Sequence, residues 1–143
     1  MKNKLKTYIL ILFCFFLLTK SLNANEPFIF DVTEIEILED GNQINGYNGG
    51  TATSEDGSTI TATNFFYNKL TNILEVSGNV KYSDKIKNTV ITADKATYLK
   101  DEEKIFTNGN SKAVNDKNTI KASNLEYDKF KNIFVAKKAV VIS

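Results

Sequence analysis

The chain has 143 residues, of which 42% are hydrophobic, with no histidine, one cysteine and a formal net charge of +1 at pH 7. A chain of this length forms one small domain rather than two. Without histidine or arginine, and with its single cysteine near the amino terminus, it lacks the usual nucleophile and base pairs, and its acidic residues do not fall into metal-ligand spacing. The composition therefore argues against an enzyme, and no cofactor and no metal site are predicted.

Residues 1–24 have the pattern of a secretory signal peptide. Three lysines among the first six residues precede an apolar run from Tyr8 to Leu18, and Ala24 offers a small residue for cleavage. The run is shorter than the roughly 18 to 20 apolar residues that span a bilayer, although an uncleaved anchor over Leu5 to Thr19 is the alternative. Cys14 follows large apolar residues, which argues against lipidation. We therefore predict an exported protein whose mature domain is 25–143.

Charge is unevenly distributed over the mature domain. Eight acidic residues and no lysine lie between Ser21 and Asn68, whereas the chain from Lys69 onward carries 14 lysines and nine acidic residues. This pattern is either a chance feature of a solvated surface or the mark of complementary ends that stack. Because the domain is slightly acidic as a whole and its aromatic residues fall on the predicted inner face, nucleic-acid binding is not expected.

Residues 33–53, TEIEILEDGNQINGYNGGTAT, predict the first pair of strands. Ile35, Ile37 and Ile44 alternate with polar residues, and EDGN between them is a turn sequence. Gly50 lies 28 residues before Gly78. The segment therefore reads as a diverged copy of the pattern that follows it.

Three later segments share one pattern: TITATNFFYNKLTNILEVSGNV at 59–80, VITADKATYLKDEEKIFTNGNS at 90–111, and TIKASNLEYDKFKNIFVAKKAV at 119–140. Alignment on Ala62, Ala93 and Ala122 gives periods of 31 and 29 residues, and a tyrosine follows each alanine by five positions. Self-similarity at such a period is typical of repeat architectures. Polar stretches after each tyrosine, such as NKLTN, predict reversals, so each copy is two strands joined by a short loop.

The apolar residues of each copy alternate with polar ones, which predicts strands with one buried face. Ile60 and Ala62 are even-numbered, whereas Phe65 and Tyr67 are odd-numbered, and the same change recurs in the later copies. If all face one interior, an extra residue must lie between them as a bulge or corner. Glu75, Ser77, Lys81 and Lys121 are then expected to face water. The positions expected to face the interior are Ile60, Ala62, Phe65, Tyr67, Leu74, Val76, Val80, Ile91, Ala93, Tyr98, Ile105, Ile120, Ala122, Leu125, Tyr127, Phe134 and Ala136.

The predicted fold is all-β, an antiparallel meander of about eight strands rolled into a sandwich or an open, twisted roll. Such a roll either fills its interior with its own side chains or leaves a groove for an apolar ligand. The many small inward residues, such as Ala93 and Ala122, and the uncapped edge strands make the groove a serious alternative to the packed core.

The repeated residues resemble the OstA-like repeat of the lipopolysaccharide transport proteins. ITAD at 91–94, Tyr98, Phe106 and the Gly109-Asn110 pair carry the resemblance, with the neighbouring copies in register. The match is good over 59–142 and weak over 29–58. Thr63 and Ser123 replace the family's aspartate, and Lys138 replaces its glycine, so that a bulge at Lys138 is in doubt.

The resemblance implies a β-jellyroll in the periplasm that holds the acyl chains of lipopolysaccharide in its interior, by the residues given above. It also implies head-to-tail stacking with related jellyroll domains or with further copies, toward the outer membrane. We assign the stacking edges to Glu34 and Glu36 at one end and to Lys137 and Lys138 at the other, with Lys129 and Lys131 also at the basic end. The chain would be either a compact LptA-like protein or the front piece of an LptD-like translocon. The alternative function is a self-packed structural or adhesive spacer without lipid.

Overall fold

The computed structural model describes residues 26–137 and 140–142. Over these residues the chain forms ten β-strands and two single-turn 3-10 helices, at Glu39–Gly41 and Lys100–Glu102. The strands are β1 Phe28–Leu38, β2 Gln43–Ser54, β3 Thr59–Ala62, β4 Asn64–Asn68, β5 Ile73–Asp84, β6 Thr89–Leu99, β7 Lys104–Val114, β8 Thr119–Asp128, β9 Ile133–Lys137 and β10 Val140–Ile142. The predicted signal peptide and Lys138 lie outside the described residues.

All strands belong to one antiparallel sheet in the order β1-β2-β3-β5-β6-β7-β8-β10. Strand β4, like β3, lies between β2 and β5, and β9 pairs with β8. Strands β3 and β4 are two parts of one run, interrupted at Thr63, and β9 and β10 pair with successive parts of β8. With each of these pairs counted as one run, the described chain has eight runs. The predicted all-β antiparallel meander is therefore confirmed.

The extra residue that the change of parity predicted is Thr63, Asp94 or Ser123, and each of these lies opposite a two-residue bulge in a neighbouring strand. Strand pairing shifts register between Ser77 and Val80, and the residues between them, Gly78 and Asn79, both have positive φ, of 83° and 50°. Gly109 and Asn110 repeat this geometry in β7, with φ of 80° and 48°. The diverged first copy has the same feature, because β1 and β2 shift register between Val32 and Glu34.

Close contacts at each bulge explain the alanine-aspartate and glycine-asparagine pairs of the repeat. Asn110 Nδ2 donates to Asp94 Oδ2 over 2.8 Å, and a Cβ on Gly109 would lie 2.4 Å from the same oxygen. In the previous copy Thr63 takes the place of the aspartate, and its Oγ1 donates to the carbonyl of Gly78 over 3.2 Å. The side chain after each alanine therefore packs where the next strand has no side chain.

The bulges divide the strands into halves that pack face to face as two layers. The first layer contains residues 28–32, 50–54, 59–62, 80–84, 89–93, 111–114, 119–122 and 140–142. The second layer contains residues 34–38, 43–47, 64–68, 73–77, 95–99, 104–108, 124–128 and 133–137. Ring contacts join the layers: Phe28 and Tyr67 have centroids 5.2 Å apart, and Tyr82 lies 6.5 Å from Tyr98 and 6.2 Å from Tyr127. The bulges thus form one long side of a roll, and the loops form the other.

Candidate functional site

The interior between the two layers is the candidate functional site, and the predicted inward residues lie in it. Phe65 and Leu74 are fully buried, whereas Glu75, Lys81 and Lys121 on the opposite faces of their strands are exposed. The other predicted residues that are buried are Ile60, Ala62, Tyr67, Val76, Val80, Ile91, Ala93, Tyr98, Ile105, Leu125 and Tyr127. The alternation thus placed these side chains on the correct face. Their binding of lipid stays a prediction.

Four predicted interior residues are only half-buried: Ile120, Ala122, Phe134 and Ala136. They lie on β8 and β9, at the carboxyl-terminal end of the sheet, where fewer neighbouring strands cover them. Ile120 and Phe134 nevertheless pack against the buried core. The apolar interior is therefore partly open at this end.

The opposite end is formed by apolar residues that the sequence analysis did not select. Phe28 is buried, and Phe30, Val32 and Ile44 are half-buried and pack against the same core. They were missed because the first copy of the repeat is diverged. The alternation of Phe28, Phe30 and Val32 was the available signal.

Side chains of the domain fill the interior itself. Phe28 contacts the rings of Tyr67 and Tyr98 edge-on, and Tyr127 stacks on Phe134 with centroids 4.5 Å apart. The packed-core alternative therefore describes this conformation, and an apolar ligand has to displace these side chains or separate the layers.

The repeated tyrosines have a second role besides their ring contacts. Tyr67 donates its hydroxyl hydrogen to Asn72 over 2.6 Å, and Tyr127 donates to Asn132 over 2.9 Å. Tyr98 donates in the same way to Glu103. In each copy the acceptor lies five residues after the tyrosine and has a left-handed backbone, with φ of 50° to 56°. Each tyrosine thus anchors the loop that follows it.

A lysine occupies the second position after each of these tyrosines: Lys69, Lys100 and Lys129. Residues two apart on a strand point to the same side, so each lysine extends from the interior face at the end of its strand. The sequence analysis missed this set as a group, although the Tyr-x-Lys spacing was visible. The role of these lysines depends on which acidic side chains lie opposite them, and that is determined by the fold.

Each of the three lysines pairs with an acid beside the first layer, either in the segment before β1 or in the loop between β2 and β3. Lys69 Nζ lies 3.0 Å from Glu26 Oε1, and Lys100 Nζ lies 3.4 Å from Glu55 Oε1. The third of them, Lys129, pairs with Asp56. These contacts run along the loop side of the roll, and we call this line of three ion pairs the seam.

Additional partners surround Lys129, which is 5% exposed. Its Nζ lies 3.3 Å from Glu103 Oε2, 3.4 Å from Ser58 Oγ and 3.4 Å from the hydroxyl of Tyr98. From the loop between β5 and β6, beside the first layer, Lys87 Nζ donates to the backbone carbonyl of Lys129. Lys129 was predicted to be part of the basic stacking edge, and this prediction is wrong: the fold places its ammonium group under three loops.

Hydrogen bonds at the seam favour the ionised forms of Asp56, Glu103 and Lys100. Burial alone would raise the pKa of Asp56, but hydrogen bonds with Lys129 and Ser58 hold that pKa well below its usual range. Burial also opposes ionisation of Glu103, yet hydrogen bonds from Lys100 and Tyr98 lower its pKa. Lys100 has a raised pKa, because its hydrogen bonds to Glu103 and Glu55 outweigh the effect of burial. Asp56, Glu103 and Lys100 are therefore charged at neutral pH.

The other predicted edge residues lie at the two ends of the sheet. Glu34 and Glu36 are exposed on β1, and Lys137 is exposed on β9. Lys131 is exposed in the loop before β9, where its Nζ lies 3.2 Å from Asp128. The acidic and basic ends are thus at opposite ends of the sheet, as predicted, while Lys138 lies outside the described residues.

Residues 26–137 and 140–142 lack two other kinds of feature. No group of three or more acidic, histidine or cysteine side chains has the arrangement of a metal site there. In the same residues, no helix has the length and apolar character needed to cross a membrane.

An all-β domain with these bulges, two layers and an apolar interior is an open β-jellyroll. No protein-family model matches the sequence, and no curated protein matches it. Among solved structures, the fold is similar to the crystal structure of LptH, the LptA-homologous periplasmic component of the lipopolysaccharide transport device of Pseudomonas aeruginosa. The TM-score is 0.74 over 82% of this chain and 95% of that chain, at 12% sequence identity. The fold is thus that of an LptA-type domain.

Proposed function

We propose that this chain is a periplasmic lipopolysaccharide-binding domain that receives acyl chains between its two layers and passes them along the roll. One observation carries the proposal: the apolar interior is continuous from Phe30, Val32 and Ile44 at one end to Ile120 and Phe134 at the other. A roll that served only as a spacer has no need for half-buried apolar residues at both ends.

The ends of the sheet support transfer between neighbouring domains. Within the described residues, β1 pairs only with β2, and β9 pairs only with β8. Unpaired strand edges accept a further strand through backbone hydrogen bonds. Stacking on a related jellyroll domain would join one interior to the next, so the proposed partners are lipopolysaccharide and domains of the same fold. The export pattern of residues 1–24 supports a periplasmic location.

Photo-crosslinking tests the proposed function with a matched pair on one strand. Phe134 faces the interior and is half-buried, whereas Val135 faces outward and is 55% exposed. A photoreactive residue at Phe134 should label lipopolysaccharide, and one at Val135 should label it at least tenfold less. Because both positions are apolar, simple hydrophobic adhesion does not predict this difference.

The same test can be repeated within the core on β5, where Leu74 is buried and the adjacent Glu75 is exposed. Labelling at Leu74 but not at Glu75 would show that acyl chains enter the centre of the roll. Equal labelling from both faces, or none from either, would contradict lipid transport and favour the self-packed spacer, which the filled interior of this conformation supports.

A further inference from the structure

We propose that the seam is a side gate, at which the two layers separate to admit an apolar chain and then close over it. The inference rests on the proposed function and adds the route of entry. It assigns Lys69, Lys100 and Lys129 as the residues that hold the gate shut, against Glu26, Glu55 and Asp56.

Opening can occur on only one long side of the roll. On the bulge side the strands run continuously from one layer into the other, so separation there would break the strands. On the loop side, the three ion pairs and the bond from Lys87 to the carbonyl of Lys129 are noncovalent. Rotation of the layers about the line of bulges would separate the seam and widen the interior together.

The filled interior makes such a motion necessary for binding. Phe65, Leu74 and Tyr127 have no exposed surface, and Ile105 is almost as deeply buried. Packed interiors leave few voids larger than a water molecule, so an acyl chain needs the layers to move apart. A ligand that binds the open form stabilises it only by its greater affinity for that form.

The ion pairs are not equally strong along the seam. The side chains of Lys69 and Glu26 are 31% and 54% exposed, and an ion pair between exposed side chains contributes little to stability. The side chains of Lys100 and Lys129 are only 7% and 6% exposed, and Lys129 has two further contacts across the seam, with Ser58 and Lys87. The gate is therefore expected to open first at the Lys69 end, next to β1, and last at Lys129.

A surface pocket of about 290 Å³ lies beside the strongly held part of the seam. It is lined by charged residues that include Lys100, Lys129 and Asp56, together with Phe130 and Ile86, which are 76% and 82% exposed. An apolar chain that approaches the seam therefore meets two exposed apolar side chains at its edge.

A cleavable crosslink across the seam tests the gate. In the full chain with Cys14→Ser, the pair Glu55→Cys and Lys100→Cys would be joined by a short, cleavable bifunctional maleimide. The matched control is Glu102→Cys with Lys104→Cys, because that ion pair, at 3.2 Å, has both partners beside one layer. Uptake of fluorescently labelled lipopolysaccharide is then followed by stopped-flow fluorescence.

The seam crosslink should slow uptake at least tenfold, and cleavage of the linker should restore the rate, while the control crosslink leaves it unchanged. Uptake at an unchanged rate through the crosslinked seam would overturn the gate and leave the proposed function intact, since lipid would then enter by the ends. No uptake by the uncrosslinked protein would overturn the proposed function, and the gate with it.

Hydrogen exchange gives a readout of the seam without lipid. In the double variant Lys100→Met and Lys129→Met, amides of the loop 55–58 should exchange at least tenfold faster, because the layers separate more often. Amides of the loop 115–118, which has no contact with the seam lysines, should keep their rates. Unchanged exchange at 55–58 would overturn the role of these lysines, whatever the lipid result.

Discussion

At the scale of single residues, the repeated tyrosine combines two functions that are usually separate. Its ring fills the interior, and its hydroxyl is bonded to a residue with a left-handed backbone in the next loop. Burial raises the pKa of Tyr67 to about 12, with a smaller contribution from Glu26 and Asp101, so the hydroxyl remains a donor at physiological pH. The loop that carries each seam lysine is thereby fixed to the core.

Replacement of Tyr67 by phenylalanine tests this second function. Tyr67→Phe keeps the ring and removes the 2.6 Å bond to Asn72, so the free energy of unfolding should fall by about 1 kcal/mol. Tyr47→Phe is the control, because the Tyr47 hydroxyl donates to Glu36 on the exposed face and accepts from Asn45, which also donates to Glu36. Its loss should therefore cost less than about 0.5 kcal/mol. Urea unfolding measures both. Equal losses for the two variants would show that the buried hydroxyl has no special role.

The sequence was sufficient to predict which residues face the interior, but not which charges meet. The period of two determines the face of Leu74 and Glu75 from local information alone. The pairing of Lys129 with Asp56 joins residues 73 positions apart and depends on how the layers twist over one another. Lys129 was therefore predicted to be an edge residue, whereas it is the most enclosed cation of the seam.

At the scale of the strand, the bulge is the element that makes the roll. At each bulge two residues of one strand lie opposite one residue of its neighbour, so the β3-β4 run, β6 and β8 reverse their parity while β5 and β7 keep theirs. Both halves of each strand therefore present apolar side chains to one interior, and the strand bends between the layers. This feature could be predicted because the change of parity is visible in every copy. The corresponding bend near Lys138 lies outside the described residues.

Gly78→Ala tests whether the bulge requires glycine for space as well as for conformation. Gly78 and Gly57 both have φ of 83°, so alanine should cost both positions about 1 kcal/mol of backbone strain. A Cβ at Gly78 would also lie 2.7 Å from Thr63 Cβ, whereas nothing lies within 4 Å at Gly57. Gly78→Ala should therefore lower the free energy of unfolding by at least about 1 kcal/mol more than Gly57→Ala, within the usual range for overpacking.

Thermal and urea unfolding of the two alanine variants would measure the difference directly. Similar losses would mean that Thr63 moves aside without cost, and that backbone conformation alone selects glycine at the bulge. In that case the side chain that follows each alanine of the repeat, Thr63 or Asp94, would need another explanation.

At the scale of the whole molecule, the sheet has two different ends. Strand β1 carries exposed Glu34 and Glu36, and β9 carries exposed Lys137. Opposite charges at the two ends favour head-to-tail over head-to-head contact between copies. Sequence composition predicted this asymmetry because charge along a meander maps directly onto position across the sheet, whereas the depth of Lys129 does not follow from composition.

Reversal of one edge charge tests stacking. Lys137→Glu should weaken self-association, or association with a related jellyroll domain, by about threefold to tenfold, because repulsion from Glu34 and Glu36 replaces attraction. Lys81→Glu is the matched control: it makes the same change in net charge on an exposed position of the central strand β5, and it should leave association unchanged. Sedimentation at several protein concentrations measures both variants.

With a Debye length of about 10 Å at 0.1 M salt, added salt should weaken wild-type association only moderately, since backbone pairing of the edges is not screened. Equal effects of the two substitutions would show that net charge controls association, and a strict monomer that binds no related jellyroll domain at low salt would contradict stacking altogether.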